Sequence, residues 1–309
     1  MGSYEIVVVG GGLAGLTAGL FAARCGRATL VLESAVPGGH LVNITKIEDY
    51  PGFPGGVAGY ELAPALQEQA ARYGAEFDLA EVEGIMAEDD RWLVRTSAGQ
   101  HRSGAVIVAS GSRPRLLGVP GEARLSGRGV SHCASCDGPL FRGQTVGVVG
   151  GGDSALQEAL TLAEHAAEVR LFHRRATLRG QHTYQRRIGE TRRINVCLDT
   201  IVEEVLGDTE VTGIRVRHAV TGVTAEVALS GLFVYVGLVP NTDFLTPWLS
   251  LDPAQRIPTD VWMRTERPGL FAAGDIRRDS ASQAIAAAGD GATAAIAAHR
   301  YLDERRWPA

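Results

Sequence analysis

Apolar runs rich in β-branched residues punctuate this chain. The first, Ile6 to Val9, leads straight into Gly10-Gly11-Gly12-Leu13-Ala14-Gly15 and then into a helix-like stretch from Leu16 to about Arg24. Strand, glycine turn, helix is the pattern of a nucleotide-binding unit. A second strand, Thr29 to Leu32, ends at Glu33. Further on, a helix pattern from Tyr60 to Tyr73 stacks Leu62, Leu66 and Ala70 on one face, and Trp92 to Thr96 and Ala105 to Ala109 read as strands. The latter runs into Ser110-Gly111-Ser112-Arg113-Pro114, a glycine turn suited to lie under a ligand. Between these elements, Pro37-Gly38-Gly39-His40-Leu41 and the segment from Glu48 and Asp49 to Pro54 are too rich in Gly and Pro for regular structure. Loops of this kind on a rigid sheet are where a cofactor ring is wrapped.

After a linker region around Gly118 to Gly127 the pattern repeats. Thr145 to Val149 is an apolar strand, Gly150-Gly151-Gly152-Asp153-Ser154-Ala155 a glycine turn, and Leu156 to Glu164 a helix. Two such units predict two nucleotides. In each, the first glycine makes the tight turn, the second admits a pyrophosphate, and the helix N-terminus offers unpaired N–H groups to it. The units differ at the end of their second strand. Glu33 closes the first, and an acid there accepts from both hydroxyls of an unphosphorylated ribose, which points to FAD or NAD. The second, Glu168 to Phe172, ends in His173-Arg174-Arg175 with Arg179 beyond. Guanidinium groups fork onto a 2′-phosphate, so this copy is built for NADPH.

The rest of that unit is β-rich, over 211–216, 224–229 and 232–237, and the chain leaves it near Pro240. A strand ending in Gly274-Asp275 follows, then a small-residue helix from Ser282-Gln283-Ala284 to Tyr301. Asp275 is placed to bind a ribityl hydroxyl, and the helix start to face an anionic flavin edge through its dipole.

With 309 residues, 45% of them hydrophobic, the chain can bury two domain cores. A net charge of −5 without long basic runs gives no footing for nucleic acid or an anionic membrane. The N-terminus enters a strand without a basic leader or cleavage site, so a cytoplasmic location is expected. Chemistry concentrates in Cys133-Ala134-Ser135-Cys136-Asp137-Gly138. Two thiols so spaced close into a readily reduced disulfide, and Asp137 is placed to give or take a proton. A zinc site needs a second pair, whereas Cys25 and Cys197 each stand alone, so no metal is expected. A structural role is also poorly served, because so short a loop constrains the unfolded chain little.

Over essentially its whole length the chain resembles low-molecular-weight thioredoxin reductases. The matching residues are Gly10, Gly12 and Gly15, Pro37-Gly38-Gly39, Pro51-Gly52-Phe53, Cys133 and Cys136 with Asp137-Gly138, Gly150, Gly152 and Ala155, His173-Arg174-Arg175 with Arg179, and Gly274-Asp275 followed by Gln283-Ala284. The resemblance implies an α/β protein of two Rossmann-like, three-layer ββα domains. An FAD domain (1–114 and 241–309) holds an inserted NADPH domain (115–240) that carries the dithiol and swings between two poses in a homodimer. It implies FAD contacts from Gly10, Gly12, Leu13, Ala14, Gly15, Glu33, Gly39, His40, Leu41, Asp49, Gly111, Gly274, Asp275, Ser282, Gln283 and Ala284. It implies NADPH contacts from Gly150, Gly152, Asp153, Ser154, Ala155, His173, Arg174, Arg175 and Arg179. By the same resemblance Cys136 is the flavin-side sulfur, Cys133 attacks the substrate, and Asp137 carries the proton. Electrons then pass from NADPH through FAD and the dithiol to thioredoxin, a similar dithiol protein or a small disulfide. A dithiol oxidase that uses oxygen and a flavin redox sensor are the rival readings, and the arginines argue against the oxidase. The pattern departs from the family at His40, Asp49 and Ser282, where Gln, Asn and Arg are usual. These changes predict a flavin pocket with less positive charge and a slower reduction by NADPH.

Overall fold

The computed structural model describes residues 2–246, 248–304 and 307. The chain divides into two compact units, crossing from the first to the second between Arg113 and Pro114 and returning between Leu238 and Val239.

In the first unit, strand Gly2–Val9 lies between Thr29–Glu33 and Gly99–Val108, parallel to both, with Glu76–Leu79 outside Thr29–Glu33. Gly99–Val108 pairs antiparallel with Arg91–Thr96 through its first half, and its last three residues pair in parallel with Leu270–Ala272. Val82–Glu88 extends the antiparallel edge. Successive side chains of a strand point to opposite faces, so an unbroken apolar run is required where both faces are dry. Ile6 and Val8 pack with Ala14, Ala18, Ala294 and Ala298 of the helices Leu13–Arg24 and Ala284–Glu304. Val7 and Val9 face the opposite way, toward Ile85, Val94, Leu245 and Ile257. The two helices meet almost backbone to backbone: a Cβ added to Gly291 would lie 2.1 Å from the Ala14 carbonyl oxygen.

The first glycine turn is tighter than expected, and its helix starts at Leu13 rather than Leu16. Gly10 has φ +102°, and a Cβ there would lie 2.3 Å from the Ala109 carbonyl oxygen. Only glycine fits both the dihedral and the space.

In the second unit, strand Thr145–Gly150 lies between Glu168–Phe172 and Gly231–Tyr235, with Ile194–Cys197 and Val130–Ser131 at the edges, all parallel. Helices Asp153–Ala163 and His182–Glu190 cover one face. The antiparallel strands Thr200–Leu206, Gly213–His218 and Thr224–Ala228 cover the other, completing a three-layer ββα unit. The segment 118–127, expected as a linker, is part of this core instead. Leu125 is fully buried among Val202, Val205 and Val211, and the buried Glu122 carboxylate accepts the N–H groups of Leu117 (2.8 Å) and Gly118 (2.7 Å). Its sparse apolar residues, Val119 and Leu125, with Leu117 just before them, are enough to seat it because the β-layer supplies the other wall.

Candidate nucleotide and dithiol sites

In the first unit the strand ends converge on the glycine turn. Glu33 is pinned there: Oε2 accepts the Gly11 N–H at 2.7 Å and Oε1 the Ala35 N–H at 3.0 Å. A cavity of about 490 Å³ opens beside it, lined by Gly10, Leu32, Glu33, Ser110, Asn241 and Phe244. The turn Gly39–Asn43 carries Gly39, His40 and the buried Leu41, and is tied to the glycine turn by the Gly38 N–H, which donates to Gly11 O at 2.7 Å. His40 donates from Nε2 to the Ser112 carbonyl. The Gly111 carbonyl accepts the Asn241 N–H at 3.0 Å. Leu13 and Ala14 are buried in the first helical turn.

On the returning segment, the Gly274 N–H donates to Asp290 Oδ2 at 3.1 Å. Asp290 is itself held by Arg277 through two bonds, of 2.8 and 2.9 Å, in a largely buried pair. Burial raises the Asp275 carboxyl above its ordinary range, and the positive charge of Arg256 partly offsets this. Ala284 starts the last helix with Gln283 just before it, while Ser282 and Asp49 are exposed. The Asp290–Arg277 pair and Arg256 were not anticipated. The signal for the pair was there, an acid set among Ala and Gly well inside the last helix.

In the second unit Gly150 turns the chain with φ +152°, and the helix begins at Asp153. Asp153 Oδ1 accepts the Gln181 N–H at 2.6 Å, and the N–H groups of Arg179 and Gly180 reach Gly151 O at 2.7 and 3.0 Å, so the loop after the second strand is drawn onto the glycine turn. Arg174, Arg175 and Arg179 are exposed around it. His173 is 5% exposed, and its Nε2 has no partner among the described residues. Burial, then the charges of Arg179 and Arg175, hold its pKa below the usual value, so it is neutral at pH 7.

The dithiol lies in the same unit. Cys133 and Cys136 are joined as a disulfide with Cα atoms 5.3 Å apart, and Cys136 is exposed while Cys133 is half-buried. Cys133 sits just before the short helix Ala134–Asp137, where its Sγ accepts the Cys136 N–H at 3.2 Å and lies 3.4 Å from Ser135 Oγ. A thiolate at Cys133 therefore finds two donors in place. The half-buried Asp137 donates its N–H to the Cys133 carbonyl at 3.1 Å. Among the described residues, no group of three or more His, Cys, Asp or Glu side chains is arranged to hold a metal, and no helix is long and apolar enough to cross a membrane.

Two nucleotide units, one ending its second strand in an acid and the other in arginines and also carrying a disulfide, define a flavoprotein of the pyridine nucleotide-dependent disulfide oxidoreductases. Residues 4–291 match the family described as Pyridine nucleotide-disulphide oxidoreductase. The chain is 41% identical over 300 residues to thioredoxin reductase of Treponema pallidum (strain Nichols), covering 97% of each chain. It is 41% identical over 303 residues to the bifunctional thioredoxin reductase/thioredoxin of Mycobacterium leprae (strain TN), covering 97% of this chain and 66% of that one. The crystal structure of Lactococcus lactis thioredoxin reductase in its FR conformation matches with a TM-score of 0.95 at 39% identity, over 97% of this chain and 99% of that one. The chain belongs to the low-molecular-weight thioredoxin reductase family. It is an NADPH-dependent flavoprotein disulfide oxidoreductase whose cofactors are FAD and NADPH.

Proposed function

We propose that this protein is a cytoplasmic, homodimeric reductase of thioredoxin, with the first unit holding FAD and the second NADPH. The observation that carries the assignment of ligands is the open space over Gly12 and Gly152. An added Cβ at either would meet nothing within 4 Å, so backbone N–H groups there are free to approach a phosphate. Glu33 beside the first turn suits the adenosine ribose of FAD, with Gly39, His40, Leu41, Gly111, Gly274, Asp275, Gln283 and Ala284 toward its other end. Arg174, Arg175 and Arg179 suit the 2′-phosphate of NADPH, and the unpartnered His173 Nε2 gives that ligand a buried hydrogen-bonding atom.

Bound NADPH and FAD supply a hydride donor and its acceptor, and so the electron pair that opens the disulfide. The chain's own residues do the exchange. Cys133, its thiolate stabilised by the Cys136 N–H and the Ser135 hydroxyl, attacks the incoming disulfide and forms a mixed disulfide. Cys136 then displaces the reduced partner, and Asp137 moves the proton that accompanies each sulfur. One NADPH and one proton thereby convert one external disulfide to a dithiol. The Mycobacterium leprae relative, whose name joins the reductase to thioredoxin in one chain, supports thioredoxin as that disulfide.

The test is anaerobic titration of the purified flavoprotein with NADPH, followed by visible absorbance, and then addition of oxidised thioredoxin or a small disulfide. Reoxidation by thioredoxin is expected. Cys133→Ser and Cys136→Ser should each abolish turnover while the flavin stays bound, and turnover retained in either variant would refute the roles given to the pair.

A further inference from the structure

Behind the dithiol lies an acid to which the exchange just described gives no part. Glu158 sits on helix Asp153–Ala163, which packs against the dithiol helix Ala134–Asp137. Its Oε2 is buried and has no hydrogen-bond partner among the described residues, and its carboxyl has the Ala134 N–H as backbone donor. That same N–H donates to Tyr235 Oη at 2.9 Å. Glu158 and Tyr235 thus meet at the first amide between the two sulfurs.

Tyr235 is held well above the usual phenol range by burial first and then by the negative charge of Glu158, with Asp137 adding to it. The other ionisable groups facing this spot are the two cysteines and Asp137 on the dithiol segment, His132, whose Nδ1 is 2.9 Å from Val234 O, and His165 beside Gly138. Burial pushes the Glu158 carboxyl up to about 7, so it exchanges its proton near neutrality.

We propose that Glu158, backed by Tyr235, is a positioning residue that holds a proton for the dithiol, so that a thiolate formed at the Cys133–Cys136 pair draws a proton onto the Glu158 carboxylate. The balance is simple. The S–S bond breaks, NADPH supplies two electrons and one proton as hydride, and a second proton comes from solvent. One proton goes to a sulfur and the other to Glu158, leaving the second sulfur as thiolate. Conversely, an ionised Glu158 raises the thiol pKa by like-charge repulsion. This rests on the reading of Cys133 and Cys136 as the working pair, but alkylation reports the charge beside them whether or not the enzyme turns over, so the two readings fail separately.

The holoenzyme is reduced with dithiothreitol, and iodoacetamide labelling of the Cys133–Cys136 peptide is followed by mass spectrometry between about pH 5.5 and 9.5. The wild-type rate should rise in two steps, the lower one near neutrality. In Glu158→Gln, which keeps size and an acceptor, the two steps should merge into a single rise. Its rate should equal wild type at about pH 5.5 and exceed it about tenfold at about pH 8, where only the wild type carries the charge. A merely structural role would give a ratio that does not change with pH, and that result overturns the proposal. Tyr235→Phe should shift the lower step without removing it, and an unmoved step would remove Tyr235 from the scheme. If Glu158→Gln does not accumulate, a single-step profile in the wild type alone overturns the proposal.

Discussion

Replacing Glu158 by Gln should stabilise the folded protein at neutral pH and above and leave it unchanged below about pH 4. In the fold this carboxyl titrates at about 7 rather than 4.5 because it is buried, with the Ala134 N–H only partly offsetting the cost. An acid whose folded pKa lies above its unfolded one keeps its proton in the folded state and has lost it in the unfolded state between those two values. Unfolding then releases a proton, so stability falls as the pH rises from about 4.5 to about 7 and levels off beyond. A displacement of about 2.5 units at about 1.4 kcal/mol each makes the full effect about 3 kcal/mol. Gln fills the same space without ionising and escapes this loss. The assay is urea unfolding of wild type and variant at a series of pH values, followed by circular dichroism. The difference in unfolding free energy should be near zero at about pH 4, grow from there to neutrality and settle at about 3 kcal/mol in favour of the variant. A difference that is independent of pH, or that favours the wild type at pH 8, would show that Glu158 is ionised throughout and refute the reasoning.

Arg174→Ala with Arg175→Ala should lower kcat/KM for NADPH about 30- to 160-fold, from two exposed phosphate forks of about 1 to 1.5 kcal/mol each. The value for NADH should barely move, and equal losses with both nucleotides would sink the 2′-phosphate assignment. Asp290→Asn leaves the largely buried Arg277 without its counter-charge and should cost about 3 kcal/mol, seen as a lower unfolding temperature and easier loss of FAD on ultrafiltration. An unchanged unfolding temperature would show that the pair is solvated. Ser282→Arg with Asp49→Asn restores positive charge to the proposed flavin surroundings and should speed flavin reduction by NADPH in stopped flow. If the double variant is reduced no faster, these positions do not tune the flavin.

What was legible in the sequence is what local spacing dictates. The strand Ile6 to Val9 and the turn after it could be read because a both-faces-dry strand must be continuously apolar and because the next residues are glycines. Helix His182–Glu190 was not read. Only Tyr184 and Ile188 in it are buried, and two apolar residues in a polar nonapeptide are too few to show a period. Glu158 was equally silent, since Leu-Gln-Glu-Ala reads as an ordinary exposed helix turn. Its burial is imposed by the dithiol helix Ala134–Asp137 and by Tyr235, brought from elsewhere in the chain. The Asp290–Arg277 pair has the same origin, because the chain turns back before the alanine-rich helix and sets the two side chains against each other.

The two glycine turns separate what the fold needs from what a ligand needs. A Cβ at Gly15 would lie 1.8 Å from the Gly10 carbonyl oxygen, so the first helix is packed too closely to admit a side chain. The second unit places Ala155 at the equivalent position and still builds its turn, so packing there is satisfied with a methyl group. Gly12 and Gly152 are different. Their φ values, −69° and −97°, are open to any residue, and an added Cβ would touch nothing in the protein. Neither strain nor crowding accounts for glycine at these two places, yet both units carry it. A requirement common to both turns and absent from the fold must come from outside the chain, and the proposed nucleotides account for it, since close approach of a pyrophosphate to the backbone calls for glycine in each unit, whichever nucleotide the end of the second strand selects.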